Sequence, residues 1–156
     1  MKRMRFSTPF GDMTLAEENG ALTSLSFQAL SGPDSPTPLL KRGIRELDEY
    51  FAGKRTSFDL PLHLSGTPFQ LAVWRALAEI PYGALETYGG LAARIGKPKA
   101  ARAVGMGCHN NPLPIIIPCH RVVGHNGSLT GFGGGLGLKQ ALISLESAES
   151  GKALSR

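Results

Sequence analysis

The chain has 156 residues, 42% of them hydrophobic and 19% charged, with a formal net charge of +5. That is room for one domain or two small ones, with the composition of an ordinary globular protein. No apolar run approaches the roughly 20 residues that a membrane-spanning helix needs, the basic residues 1–6 lead into no signal-peptide core, and two cysteines are too few for a disulfide framework, so a reducing, cytoplasmic setting with free thiols is expected.

Residues 4–28 read as β structure. Gly11-Asp12 and Asn19-Gly20 are turn signals separating short segments such as 13–16 and 22–27, and Asn-Gly is the signature of a tight type I′ hairpin. Residues 31–38 are rich in Ser, Gly and Pro and predict a loop. Leu40, Ile44, Leu47 and Phe51 recur on one helical face, and Gly53 ends that helix. Phe58, Leu60, Leu62 and Leu64 alternate strictly, which predicts a half-buried strand. This β-β-helix-β part carries no constellation of reactive groups, so it is expected to be scaffold. His63 falls on the face opposite the leucines and reads as a surface residue.

Ser65-Gly66 marks the boundary between a domain at 1–64 and a mostly helical one at 65–156. Thr67-Pro68-Phe69-Gln70 is a capping box with Pro at the first helical position. The helix it starts runs to about Glu79, with Phe69, Val73, Leu77 and Ile80 on one face and Trp74 as core. Pro81-Tyr82-Gly83 turns the chain. Thr87 caps a second helix over 88–95, closed by Gly96, and Pro98 starts a third that reaches about Cys108. Two short helices joined by a tight turn resemble a helix-turn-helix. The third is rich in small residues, Ala100, Ala101, Ala103, Gly105 and Gly107, around Lys99 and Arg102. Glycine weakens a helix, so these positions imply close approach of another backbone.

Charge is distributed unevenly. Residues 1–64 hold eight basic and eight acidic side chains, whereas 65–156 hold nine basic and four acidic. No acid occurs between Glu86 and Glu146, while Arg94, Lys97, Lys99, Arg102, Arg121 and Lys139 all lie there. Such a window points to a polyanionic partner.

Inside that window stands the most unusual stretch, residues 111–123. Asn111, Pro112 and Pro114 make a fixed non-helical bend. Three isoleucines, 115–117, are too few for a helix and favour extended chain. Pro118 stops the run, and then come a thiol, an imidazole and a guanidinium: Cys119, His120, Arg121. An unpaired Cys is most often a small core residue, but His and Arg directly after it suit a reactive thiolate. Neighbours in sequence diverge in direction, so His120 is expected to reach the sulfur around a turn or through water, with an acid partner from elsewhere. Residues 124–137 hold seven glycines but fit neither a dinucleotide nor a P-loop register, so a close-packed or mobile pocket wall is expected. Leu138, Leu142 and Leu145 share one face of a last helix ending near Glu146, and residues 147–156 read as a loosely ordered tail.

The sequence Pro118-Cys119-His120-Arg121-Val122 is similar to the active-site signature of the O6-alkylguanine-DNA alkyltransferases, and the resemblance runs from about Gly66 to Glu146. It implies an α+β protein: a small ribonuclease H-like sheet-and-helix domain followed by a winged-helix-like domain with the helix-turn-helix. It further implies irreversible, single-turnover transfer of an alkyl group from guanine O6 in double-stranded DNA to Cys119 after base flipping. Activity on O4 of thymine stays open. By the resemblance, His120 takes the Cys119 proton through a water and Glu146 orients His120. Tyr88 donates to the leaving guanine, and Asn111 holds the turn beside the cysteine. Arg102 fills the base stack, with Tyr88, Lys99, Ala101 and Arg121 also on the DNA. Val122, Gly133 and Pro114 line the guanine pocket. No cofactor or metal is implied, and the partner is duplex DNA met by a monomer. The sequence departs from the family pattern at Gly90, at Cys108-His109 and at Gly133, the last making the pocket roomier. Two rival readings are a structural zinc module built from Cys108-His109 and Cys119-His120, whose spacing is unlike ordinary zinc sites, and a non-catalytic lesion-binding relative, which would lack the cysteine.

Overall fold

A computed structural model describes residues 1–154. They form two compact units, Met1–Leu64 and Ser65–Arg156. In the first, β1 (Lys2–Thr8), β2 (Gly11–Glu18) and β3 (Ala21–Ser26) make an antiparallel sheet in that order. Asn19 (φ 54°) and Gly20 (φ 81°) take the two positive φ values of a type I′ turn, and Glu18 pairs with Ala21 across it. The other hairpin turns earlier than expected. Thr8 pairs with Gly11, so Pro9-Phe10 form the turn and Asp12 lies inside β2, because proline fixes the φ that a turn needs.

Helix α1 (Pro38–Phe51) is capped by Thr37, whose hydroxyl accepts from the Leu40 N–H at 3.0 Å. It buries Leu40, Leu47 and Tyr50, while Ile44 is only half-buried. A Cβ on Gly43 would sit 2.7 Å from a Leu15 methyl, so the missing side chain lets α1 lie close on the sheet. The strand expected over 58–64 is absent. One parallel bridge, Leu22 to Leu62, is all that forms, through Leu22 N–H to Pro61 O (2.8 Å) and His63 N–H to Leu22 O (2.9 Å). Pro61 has no N–H with which to extend the ladder.

The second unit contains α2 (Pro68–Ala78), β4 (Glu86–Thr87), α3 (Tyr88–Arg94), α4 (Ala101–His109), a 3-10 turn (Cys119–Arg121), β5 (Val122–Val123) and α5 (Leu136–Leu154). Both bonds of the Thr67–Gln70 capping box are present. Trp74 is core, and its Nε1–H donates to Gly107 O at 2.9 Å. A Cβ on Gly107 would lie 3.2 Å from Val73, which explains one of the small residues of α4: it sets the approach to α2. Strands β4 and β5 pair in parallel, Glu86 with Val122 and Thr87 with Val123. That ladder ties the N-cap of α3 to the residues just after the cysteine.

Helix α4 starts at Ala101 rather than Pro98. Left-handed Gly96 (φ 79°) closes α3 and Lys97 N–H returns to Ala92 O, so Pro98 belongs to the turn. Helix α5 continues past Glu146 to Leu154, where a loose tail was expected from 147; the rest of that tail, 155–156, lies outside the described residues. Among the described residues its buried positions are Lys139, Leu142 and Glu146, not the predicted trio of leucines. Leu138 and Leu145 are half-buried. Among the described residues no helix is long and apolar enough to cross a membrane.

Candidate active site

Asn111 closes the loop that delivers the cysteine. Its Oδ1 accepts from the Leu113 N–H (3.0 Å) and its Nδ2 donates to Ile117 O (2.8 Å), while Ile117 N–H returns to Leu113 O at 2.8 Å. Within this turn Ile115 has φ 74°. A left-handed β-branched residue costs on the order of 1–3 kcal/mol, and here it is held by complete burial of the side chain, 1% exposed. The isoleucine run expected to be extended is therefore a turn, and its apolar character serves to anchor it. Pro118 (φ −80°, ψ 66°) then forms an inverse γ-turn, with Cys119 N–H bonded to Ile117 O at 2.8 Å. In the 3-10 turn that follows, successive side chains fan out by about 120°, so Cys119, His120 and Arg121 point in different directions.

Two of them meet the same carboxylate. Glu146 Oε2 receives His120 Nε2 at 2.5 Å and Arg121 Nη2 at 3.1 Å; Oε1 receives Arg121 Nε at 2.8 Å and the Gly83 N–H at 3.1 Å. Arg121 Nη1 also donates to Ile80 O at 2.6 Å. His120, Glu146 and Arg121 are 0%, 2% and 7% exposed. Arg121 was expected on DNA; instead the forked guanidinium is spent on Glu146 and a backbone carbonyl inside the protein. Burial, more than the opposing pull of Glu146, lowers the His120 pKa, so the ring is neutral at pH 7. With a carboxylate at Nε2, the proton belongs on Nε2 and the basic lone pair on Nδ1.

Cys119 is 5% exposed. Burial pushes its thiol up to about 11, against the Asn111 side-chain hydrogen bond and the Lys139 charge, which pull it down. At neutral pH Cys119 therefore rests as a thiol, not the thiolate expected beside His and Arg. Cys108, also buried, is pushed up to about 12 by desolvation and by Cys119. Tyr88, the first residue of α3, donates its hydroxyl to Thr130 O at 2.9 Å. Lys139 Nζ donates to the same carbonyl (2.8 Å) and to the Tyr88 oxygen (3.3 Å), and lies 5.6 Å from the centre of the Tyr88 ring. Lys139 is the site residue that sequence reasoning missed, having been counted only as a basic residue. The available signal was its spacing, three residues before Leu142 and seven before Glu146, on one helical face.

Around this centre, Pro114 and Val122 are buried, whereas Gly133 is exposed and a Cβ there would meet no atom within 4 Å. On α4, Val104, Gly107 and Cys108 face inward. Lys99 and Arg102 are exposed, and Ala101 is half-buried. Among the described residues no group of three or more His, Cys, Asp or Glu has the arrangement to hold a metal ion.

Residues 68–148 match the family described as 6-O-methylguanine DNA methyltransferase, DNA binding domain, and residues 1–64 match its ribonuclease-like domain. The chain is 54% identical over 148 residues to the methylated-DNA–protein-cysteine methyltransferase of Methanosarcina barkeri, covering 89% of this chain and 92% of that protein. It is 45% identical over 148 residues to the protein of the same description from Methanosarcina acetivorans, covering 90% and 95%. Among solved structures it is similar to the crystal structure of Mycobacterium tuberculosis OGT in complex with DNA, with a TM-score of 0.88, 44% identity and coverage of 96% of this chain and 94% of that one.

Two measurements check the electrostatics of the site. Removing Glu146 strands the buried Arg121 charge, so Glu146→Ala should lower the unfolding free energy by about 3–5 kcal/mol in urea titrations. The double variant Glu146→Leu/Arg121→Met should recover most of that loss. The second concerns pH. The unfolded chain binds a proton on His120 near pH 6.5, at about the ordinary His value, and the folded chain resists it because its pKa is lowered. This contribution is complete above that pH and is lost as pH falls below it. Stability measured from about pH 8 to about pH 5 should drop on the acid side, and His120→Asn should flatten the drop.

Proposed function

The chain belongs to the 6-O-methylguanine DNA methyltransferase family, and from that premise we propose that it repairs double-stranded DNA by moving an alkyl group from guanine O6 onto its own Cys119. The observation that carries this reading is the position of Cys119: a buried thiol on an Asn111-closed turn, followed directly by a histidine locked onto a buried carboxylate. In this reading His120 Nδ1 receives the thiol proton through a water. Glu146 fixes the tautomer and Arg121 holds Glu146 in place. Sulfur then bonds to the alkyl carbon as the carbon–O6 bond breaks, and the electron pair stays on guanine. Tyr88 hydrogen-bonds to guanine N3 and offsets that charge.

A base stacked in a duplex hides its O6 substituent, so the guanine has to be turned out. Arg102, exposed on α4, takes its place in the stack. Lys99 and Ala101 lie on the same DNA-facing surface, and the small side chains of α4 let the helix enter the minor groove. Pro114, Val122 and Gly133 line the guanine pocket, and the open space at Gly133 accommodates bulkier alkyl groups. Residues 65–156 thus carry DNA binding and transfer, and residues 1–64 are scaffold. The two free cysteines support a reducing, cytoplasmic setting.

A thioether is not hydrolysed at neutral pH, so each chain reacts once. Intact mass after incubation with excess O6-methylguanine duplex should rise by about 14 Da a single time, on the peptide bearing Cys119, as for capture by an activated thiol. Cys119→Ser should show no rise; label on Cys108 or several turnovers per chain would refute the mechanism. Arg102→Ala separates flipping from chemistry. It should slow duplex repair by roughly 10-fold or more, the worth of an unstacking penalty of a few kcal/mol, while reaction with the free base O6-benzylguanine is unchanged. Equal losses on both substrates would remove Arg102 from the flipping step.

A further inference from the structure

One buried charge has no task in that mechanism. Lys139 is 0% exposed, although it sits in the first turn of α5 beside a glycine-rich stretch. Burying an ammonium is expensive unless its donors are satisfied and its charge is used. Nζ donates to two neutral oxygens, the Tyr88 hydroxyl and the Thr130 carbonyl. Its charge is felt by Cys119, Cys108 and His120. The Lys139 charge therefore acts on Cys119 and sits hydrogen-bonded to the hydroxyl assigned to the leaving group, and neither oxygen it binds carries a charge to neutralise it.

The Tyr88 hydroxyl has a second peculiarity. Its proton points to Thr130 O at 2.9 Å, so it must leave that carbonyl to reach a guanine. Lys139 already donates to the same oxygen at 2.8 Å, so Thr130 O stays satisfied when Tyr88 turns away.

Resting on the alkyl-transfer reading, we propose that Lys139 is a positioning residue for the leaving group: it releases the Tyr88 hydroxyl from Thr130 and, through Tyr88, supplies the positive charge that the departing guanine requires. The proton count closes. Sulfur gains the alkyl carbon and guanine keeps the electron pair of the broken carbon–O6 bond. Tyr88 gives its proton to the ring nitrogen, and Lys139 gives one to the phenolate oxygen. The thiol proton taken up by His120 returns through solvent to Lys139. The sum is thiol plus alkylguanine going to thioether plus guanine.

The charge, not the hydrogen bond alone, does this work, and two substitutions separate them. Lys139→Gln keeps a donor for Thr130 and removes the charge; Lys139→Arg keeps both. Single-turnover transfer from an O6-methylguanine duplex is measured for these variants, alone and combined with Tyr88→Phe, alongside DNA affinity and thermal melts. Lys139→Gln should slow transfer by roughly 10-fold or more, in the range for losing one preorganised electrostatic contact, with Kd for DNA unchanged. Lys139→Arg should restore most of the rate. In the Tyr88→Phe background Lys139→Gln should cost under about twofold, because the residue it acts through is gone. Losses that multiply in the double variant, or a Gln variant as fast as wild type, overturn the proposal while leaving alkyl transfer intact. A wild-type chain that transfers no methyl to Cys119 overturns the alkyl-transfer reading and this proposal together.

Discussion

The carboxylate of Glu146 is the constraint on which the rest of the helical unit depends. Its two oxygens receive four donors and so join three separate segments: the 3-10 turn through His120 and Arg121, the turn after α2 through the Gly83 N–H, and the body of α5. Taking a carboxylate and a guanidinium out of water costs several kcal/mol for each, recovered only when the geometry is close and every lone pair is used. That requirement fixes where α5 lies against the cysteine turn. It also explains why Arg121, two places after Cys119, turns inward. Burial, with a smaller contribution from the Arg121 charge, outweighs the pull of Glu146 and keeps His120 neutral.

The thiol is governed by the opposite logic. Burial keeps the proton on Cys119, outweighing the Asn111 hydrogen bond and the Lys139 charge. A thiol that rests protonated and 5% exposed is protected from stray electrophiles and oxidants, since the thiolate is the reactive form. Reactivity then belongs to the complex. In the proposed reaction, a bound base that excludes bulk solvent would strengthen the local pull of Asn111 and Lys139 on the sulfur. The left-handed Ile115 fits this picture: the strain of the turn is maintained so that sulfur, hydrogen-bonding amide and γ-turn are already in place before substrate arrives.

What the sequence disclosed, and what it hid, follow from the range of the forces involved. The Asn19-Gly20 turn, the Thr67–Gln70 capping box and the Thr87 cap were legible because each is settled by residues within four positions of one another. The two-unit α+β fold and the kinship carried by Pro118-Cys119-His120-Arg121-Val122 were legible too. The strand expected over 58–64 failed because alternation says nothing about whether a neighbouring edge can pair, and Pro61 lacks the donor to do so. The isoleucine run failed because β-propensity is context-dependent; the Asn111 bonds and Pro118 overruled it. On α5 the apolar pattern misled, since the buried face is a lysine, a leucine and a glutamate. Charged residues are read as outward by default; the resemblance set Glu146 on His120, but only the spacing of Lys139 before Leu142 and Glu146 marked the lysine as facing in. Arg121, which the resemblance set on DNA, lies buried against Glu146.

Two buried cations with different partners divide the work of the site. The charge of Arg121 is committed: a bidentate grip on Glu146 and a bond to Ile80 O leave it nothing to offer a transient anion. Arginine suits that task because its planar fork matches a carboxylate. Lys139 has a compact ammonium on a flexible stem, held by two neutral oxygens, and desolvation lowers its pKa, so it gives up a proton more readily than an exposed lysine. In the proposed transfer the site must absorb a negative charge, first on sulfur and then on the purine. In this fold the element positioned to see both charges is the first turn of α5, and the last anchor of that same helix is Glu146. In the proposed reaction one helix therefore both orients His120 through Glu146 and carries the Lys139 ammonium beside Tyr88.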